Sequence, residues 1–254
     1  MHGRHAWYEL VTSDLDAALA FYGNVVGWTA RDAGMPGMTY MLLYAGDVPV
    51  AGAMKQPDEA CAAGVPVAWT GYVGVEDVDA ATAKVKSLGG AVHMEPMDIP
   101  GVGRFSIVGD PQGAVFALFT WGDRPPAPHA PRNTPGHIGW HELAAVDGEK
   151  AFEFYSALFG WRKGDGIDMG PMGIYQLFTN GDQPIGGMFT KPPVVPHPYW
   201  LYYFYVADFD PAVERLKAAG AQVINGPMEV PGGEWIVQAK DPQGVMFALV
   251  GRRG

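Results

Sequence analysis

The chain has 254 residues, 48% hydrophobic and 17% charged, so it holds enough apolar material for one or two globular domains and intrinsic disorder is excluded. Its formal net charge of −10, with no basic stripe, argues against nucleic acid as a partner. The single cysteine, Cys61, excludes an internal disulfide and a thiolate zinc cluster. Because no apolar run is long enough for a membrane span or a secretory leader, we expect a soluble, cytoplasmic protein with no membrane partner.

The sequence contains a long internal duplication. A shift of 131 residues aligns 69–118 with 200–249 at 20 identities in 50 positions. A shift of 133 residues aligns Trp7–Leu10 with Trp140–Leu143, so the duplication extends toward both ends. A weaker match inside each copy indicates that the chain is built from four related repeats, each about a quarter of its length.

Each repeat is predicted to begin with a strand and to continue into an amphipathic helix. His5–Val11 has strand character, and the apolar residues of Ala18–Val25 recur at helical spacing. Three aspartates are expected to be helix N-caps because each precedes a predicted helix: Asp14, Asp77 and Asp208.

Three short strands are predicted after each helix. In the second repeat they are Ala91–Met97, Gly103–Val108 and Ala114–Trp121. The last two are separated by Asp110–Gly113, whose Asp-Pro-Gln-Gly sequence is typical of a type I turn. The resulting fold class is α+β, with four βαβββ units.

A proline-rich segment separates the two copies. Five of its fourteen residues, Asp123 to Gly136, are prolines, which excludes a helix or a central strand. We therefore predict two domains, 1–122 and 137–254, joined by an extended linker at 123–136. The two domains would form a pseudo-dimer within one chain, as a monomer or a homodimer.

Three recurring motifs together resemble the vicinal oxygen chelate superfamily of glyoxalase I, bleomycin-resistance proteins and extradiol dioxygenases. They are a Phe-Tyr pair, a Gly-Trp pair and the Asp-Pro-Gln-Gly turn, at Phe21–Tyr22 and Phe154–Tyr155, Gly27–Trp28 and Gly160–Trp161, and Asp110–Gly113 and Asp241–Gly244. The resemblance covers nearly the whole chain and is closest to two-domain bacterial glyoxalase-like proteins. It implies that each pair of repeats forms a half-barrel around a ligand-sized cavity.

The resemblance also implies where a divalent metal would bind, since catalytic members hold one with His and Glu on the first and last strands of their repeats. The matching residues here are Trp7, Trp140, Thr70, Leu201, Ala117 and Ala248. Indole and methyl groups cannot coordinate a divalent ion. We therefore expect no metal site and no cofactor.

The candidate site residues are carboxylates and aromatics at repeated positions. Strand alternation places Glu9 on the face of Trp7 and Glu142 on the face of Trp140, so both carboxylates are candidate catalytic groups. The same carboxylates could instead bond strand ends or the linker. The candidate ligand-binding residues are Trp7, Tyr40, Trp69, Arg104, Trp140, Tyr175 and Trp200, although aromatic residues at such positions belong to the core more often than to a ligand site.

These residues favour a metal-free protein, similar to the bleomycin-resistance branch, that binds a small organic molecule in an aromatic-lined cavity. A flat, amphiphilic or cationic molecule suits such a cavity. One alternative is a glyoxalase-type lyase or isomerase that uses Glu9 or Glu142 as its base. Another is a structural or partner-binding protein whose cavities are filled by its own side chains.

Overall fold

The computed structural model describes residues 2–122 and 130–254, which form sixteen strands, five α-helices and one short 3-10 turn. The strands are β1 His5–Thr12, β2 Thr29–Asp32, β3 Tyr40–Ala45, β4 Val48–Lys55, β5 Ala68–Gly74, β6 Ala91–Ile99, β7 Gly103–Gly109, β8 Val115–Trp121, β9 Ile138–Ala145, β10 Arg162–Asp168, β11 Ile174–Thr179, β12 Pro184–Thr190, β13 Tyr199–Val206, β14 Gln222–Val230, β15 Glu234–Lys240 and β16 Met246–Gly251. The helices are α1 Leu15–Val26, α2 Asp58–Ala62, α3 Val78–Ser87, α4 Gly148–Phe159 and α5 Phe209–Ala218.

The strands belong to two eight-stranded sheets of the same topology. Their orders are β2-β3-β4-β1-β5-β8-β7-β6 and β10-β11-β12-β9-β13-β16-β15-β14. In every repeat the first strand pairs in parallel with the last one, and the three strands after the helix form an antiparallel meander. The predicted α+β class and the four βαβββ units are therefore confirmed.

The four long helices bury the apolar faces that their spacing predicts. In α1, for example, Ala18, Phe21 and Tyr22 are buried. The Asp14 and Asp77 side chains accept hydrogen bonds from backbone N–H groups in the first helical turn, as expected of N-caps. Asp208 also occupies the predicted N-cap position, before α5 and with extended backbone dihedrals, although its side chain makes no capping hydrogen bond.

Backbone contacts divide the described chain into two compact units that differ from a simple split at the linker. The first compact unit contains residues 2–6, 70–122 and 141–201, and the second contains 7–69, 130–140 and 202–254. Each compact unit therefore combines two of the four repeats. The predicted boundaries at 122 and 137 remain a prediction, and residues 123–129 of the predicted linker lie outside the described residues.

The first compact unit is held together by a buried Trp–Tyr–Asp network. The indole N–H of Trp200 donates to the Tyr155 hydroxyl at 3.0 Å, and that hydroxyl donates to Asp110 Oδ2 at 3.1 Å. The other carboxylate oxygen of Asp110 accepts two backbone N–H groups of its own turn. Burial raises the pKa of Asp110, whereas these hydrogen bonds lower it.

The second compact unit contains the same network from the other two repeats. Trp69 donates to the Tyr22 hydroxyl at 2.9 Å, and that hydroxyl donates to Asp241 Oδ2 at 3.0 Å. The Gly-Trp motif has a comparable role, because Trp28 donates to the Gly136 carbonyl at 2.7 Å in this unit. The motifs that stand out most in the sequence therefore build the scaffold.

Among the described residues, no helix is long and apolar enough to cross a membrane.

Candidate functional site

A tyrosine lies over a glycine and reaches a glutamate in the first repeat. Glu9 on β1 is paired in register with Gly52 on β4. The ring of Tyr40, from β3, occupies the space above Gly52 so closely that a Cβ there would come within 2.0 Å of the Tyr40 hydroxyl. Any larger residue at this position would therefore displace the Tyr40 phenol.

The hydroxyl of Tyr40 is held from two sides. The Trp7 indole N–H donates to it at 3.0 Å, and the hydroxyl in turn donates to Glu9. Burial, followed by the charge of Glu9, raises the pKa of Tyr40 far above its ordinary value. The phenol therefore remains protonated at neutral pH and acts as a donor to the carboxylate.

The third repeat contains the same arrangement. Glu142 on β9 is paired with Gly187 on β12, and a Cβ at Gly187 would come within 2.0 Å of the Tyr175 ring. The Tyr175 hydroxyl donates to Glu142 Oε2 at 3.1 Å. Glu142 is 7% exposed, so its carboxylate lies largely out of solvent.

Two further rings distinguish the surroundings of Glu142 from those of Glu9. Burial, followed by the charge of Glu142, raises the pKa of Tyr199 to about 12. Phe189 stacks on Tyr175 with ring centroids 5.9 Å apart. The positions that correspond in the first half of the chain are Ala68 and Met54. The Glu142–Tyr175 pair therefore has two neighbouring rings whose counterparts in the first half of the chain are not aromatic.

The structure thus places Glu9, Trp7 and Tyr40 together, and it places Glu142 with Tyr175. Sequence reasoning missed Gly52, Gly187, Tyr199 and Phe189. The duplication aligns the two glycines at the same offset, 135 residues, as the two tyrosines, which is the signal that could have identified them. Tyr199 and Phe189 break the internal symmetry and carry no such signal.

The remaining candidate residues lie in other surroundings. Trp69 and Trp200 are 5% and 7% exposed and belong to the buried networks of the scaffold. Trp140 lies under the guanidinium of Arg132, whose Cζ is 4.4 Å from the ring centroid. Their roles in ligand binding remain predictions.

Arg104 is held by two exposed carboxylates. Its guanidinium donates to Asp79 at 2.7 and 2.8 Å and to Asp98 at 2.9 Å. The bonds to Arg104 lower the pKa of Asp79. These surface contacts connect α3 with the β6–β7 hairpin. A ligand-binding role for Arg104 remains a prediction.

The residues at the metal positions of the superfamily do not fit a metal ion. Trp7 uses its indole N–H as a donor to Tyr40, and Ala117 and Ala248 offer no ligand atom. In residues 2–122 and 130–254, no group of three or more His, Cys, Asp or Glu side chains could hold a metal ion. Glu9 and Glu142 each supply one carboxylate, whereas a zinc site uses three or four protein ligands.

Relatives of known name match the chain over nearly its full length. CFP32 of Mycobacterium bovis, provisionally named a glyoxylase, is 33% identical over 251 residues, covering 98% of this chain and 94% of that protein. The anthracycline biosynthesis protein DnrV of Streptomyces peucetius is 33% identical over 263 residues, covering 98% and 93%.

Solved structures share the fold at low sequence identity. The Mn(II)-bound glyoxalase from Novosphingobium aromaticivorans has a TM-score of 0.62 and 18% identity, covering 100% of this chain and 82% of that one. A variant of homoprotocatechuate 2,3-dioxygenase from B. fuscum has a TM-score of 0.67 and 16% identity, covering 100% and 72%.

The family assignment rests on both halves of the chain. Residues 4–118 and 134–249 each match the family described as the Glyoxalase/Bleomycin resistance protein/Dioxygenase superfamily. The two matches confirm the predicted tandem of glyoxalase-like domains. Together with the full-length relatives, they establish that the chain belongs to this superfamily.

Proposed function

We propose that the chain binds a small organic molecule, without a metal ion, at its two Glu–Tyr sites. The observation that carries the proposal is the repeated constellation of a carboxylate, a phenol and a glycine that makes room for the phenol. Glycine inside a strand lowers the stability of that strand, and at these positions it makes room for a tyrosine to reach a glutamate. Its repetition supports a role for the tyrosine–glutamate pair.

The chemistry of the two sites favours an aromatic or amphiphilic ligand that carries a positive charge. Aromatic faces attract flat molecules and cations, and a carboxylate in a partly buried environment favours a cationic partner. The 33% identity to an anthracycline biosynthesis protein agrees with this ligand class, since that name refers to a flat polyaromatic compound. Glu142 with Tyr175, Tyr199 and Phe189 is the better candidate of the two sites.

Calorimetric titration of the full chain with 2-phenylethylamine and 2-phenylethanol tests the proposal. The two probes differ in charge and hardly in shape, so we expect the amine to bind at least tenfold more tightly. Glu142→Gln should remove most of that preference and leave the weaker contribution of the Glu9 site, because it removes the negative charge and keeps a hydrogen-bond acceptor for Tyr175.

An exposed glutamate provides the matched control for this titration. Glu95 is paired with Lys86 at the surface, so Glu95→Gln makes the same change in net charge away from both sites. Its amine preference should equal that of the unmodified chain. No binding of either probe, or an effect of Glu95→Gln as large as that of Glu142→Gln, would contradict the proposal.

A glyoxalase-type lyase or isomerase is the second candidate function. The burial of Glu142 favours it, because a carboxylate that is shielded from water can act as a general base on a bound substrate. The hydrogen bond from Tyr175 opposes this role, because it occupies one of the carboxylate oxygens. Exchange of an α-proton of a bound carbonyl compound with deuterated solvent, lost in Glu142→Gln, would favour the enzyme over the binding protein.

A further inference from the structure

A second type of site lies on the surface of the second compact unit. A cleft of about 380 Å³ is lined by Pro131, Arg132, Asn133, Pro231, Gly232, Glu234 and Arg252. The cleft contains two guanidinium groups and one carboxylate, so its formal charge is +1. This is a local excess of positive charge on a chain whose formal net charge is −10.

Arg132 is held in position by two contacts. Its guanidinium lies over the Trp140 ring at 4.4 Å and bonds Glu234 Oε2 at 3.4 Å. The Glu234 side chain is 9% exposed, whereas that of Arg132 is 49% exposed. A buried carboxylate on one side and an indole underneath thus orient the guanidinium while leaving about half of its side chain open to solvent.

Arg252 supplies the second positive charge close to the first. Within the residues that the structure describes, no carboxylate pairs with the Arg252 side chain. Glu234, Arg252 and Arg132 all line this cleft, so the two guanidinium groups and the carboxylate belong to one surface site. The charge of Arg252 is therefore available to a ligand in the cleft.

The corresponding hairpin of the second repeat does not repeat this chemistry. Its cleft is lined by Asp98–Arg104 and Thr120–Gly122. Gly103 stands where Glu234 does, and Trp121 stands where Arg252 does. The cleft lined by Arg132 and Arg252, called the arginine cleft below, therefore combines residues of the linker and of the fourth repeat, and its charges do not follow from the fold.

We propose that this arginine cleft binds the carboxylate group of a small organic acid. A guanidinium offers paired N–H donors that match the two oxygens of a carboxylate, and Arg132 is already oriented. The prolines on either side, Pro131 and Pro231, provide apolar surface for the body of the acid. The site is separate from the Glu–Tyr sites, whose carboxylates would repel such a ligand.

Calorimetric titration of the full chain with benzoate and benzamide tests this proposal, since the two probes have nearly the same shape and differ in charge. We expect benzoate to bind at least tenfold more tightly than benzamide, and to weaken as the salt concentration rises. Arg252→Gln should remove most of that preference, and Arg252→Lys should restore part of it. Equal binding of the two probes would overturn the proposal.

The neighbouring Arg253 provides the control, because its guanidinium pairs with Asp210 and lies 3.5 Å from the Trp235 ring centroid, away from the cleft. Arg253→Gln makes the same charge change and should leave benzoate binding unchanged. A loss of binding as large as that of Arg252→Gln would overturn the assignment. Phenyl phosphate serves as a third probe, and tighter binding of it than of benzoate would overturn the choice of a carboxylate.

Discussion

Tyr155 shows why a conspicuous sequence motif need not mark a functional site. Its hydroxyl accepts a hydrogen bond from Trp200 and donates one to Asp110, and all three residues are buried. A buried polar group without a partner is costly, so each of these residues requires the other two. Such mutual dependence accounts for the repetition of the motif around Tyr22 without any ligand.

Tyr155→Phe should lower the free energy of unfolding by about 2–4 kcal/mol, because one indole N–H and one carboxylate oxygen lose their partner. Chemical denaturation measures the change. Tyr44→Phe is the control, since Tyr44 is half-buried under the exposed Arg31, outside the network, and should change stability by less than about 0.5 kcal/mol. Equal effects of the two variants would contradict the role assigned to the network.

The same variant should change the dependence of stability on pH. Burial raises the pKa of Asp110 above its ordinary 3.8, and the bond from Tyr155 offsets part of that rise. A carboxyl with a raised pKa in the folded state loses stabilisation as the pH rises through that pKa. Tyr155→Phe should raise the pKa of Asp110 further. The loss in free energy of unfolding caused by Tyr155→Phe should therefore be smallest below pH 3.8 and grow above it. A cost that is independent of pH would contradict this.

Gly187→Ala should displace the Tyr175 ring, because the new Cβ would lie 2.0 Å from that ring. We expect a loss of about 1–3 kcal/mol in the free energy of unfolding, the cost typical of overpacking, and weaker binding of 2-phenylethylamine. In a Tyr175→Ala background the same glycine change should cost much less. Additive costs in this double-mutant cycle would show that the glycine does not serve the tyrosine.

At the scale of elements, the helix N-caps show how much of a cap the local sequence predicts. Asp77 and Asp208 occupy equivalent positions before α3 and α5, and both have extended dihedrals. Only the Asp77 side chain accepts a backbone N–H, from Ala80 at 2.9 Å. The sequence predicts the position of a cap, but the side-chain rotamer that completes it depends on the surroundings.

Asp77→Ala should therefore lower the free energy of unfolding by about 1 kcal/mol, the usual cost of removing a capping bond, and Asp208→Ala by only a few tenths. Thermal melts followed by circular dichroism would measure both changes. A loss in Asp208→Ala that matches the loss in Asp77→Ala would show that the difference in side-chain geometry has no energetic weight.

The strands and helices were largely predictable, because alternation and helical spacing are local and the duplication repeats them. For example, the sequence predicts a strand over Ala91–Met97, and the corresponding strand β6 continues two residues further, to Ile99. The site was less predictable, since it depends on which residues face each other across strands. The pairing of Gly52 with Glu9 depends on strand register, and the effect of Glu142 on Tyr199 depends on the tertiary structure. Neither relation has a signature within a short stretch of sequence.

At the scale of the whole molecule, the duplication has kept the scaffold and changed the sites. Both Trp–Tyr–Asp networks are intact, whereas Ala68 and Met54 correspond to Tyr199 and Phe189. The two Glu–Tyr sites should therefore differ in affinity for an aromatic amine. Glu9→Gln should reduce total amine binding less than Glu142→Gln does. Tyr199→Ala should reduce the difference in amine affinity between the two sites. Calorimetry that finds two equal sites would contradict this divergence.

Binding of an organic molecule without a metal ion is the central claim, and native mass spectrometry of the chelator-treated full chain with 2-phenylethylamine tests it most directly. The mass reports any metal and the bound amine in the same ion. We predict that the metal-free chain carries the amine, and that adding Mn(II), Ni(II) or Zn(II) leaves the bound fraction unchanged. Amine adducts found only on chains that also carry one metal ion would contradict the account.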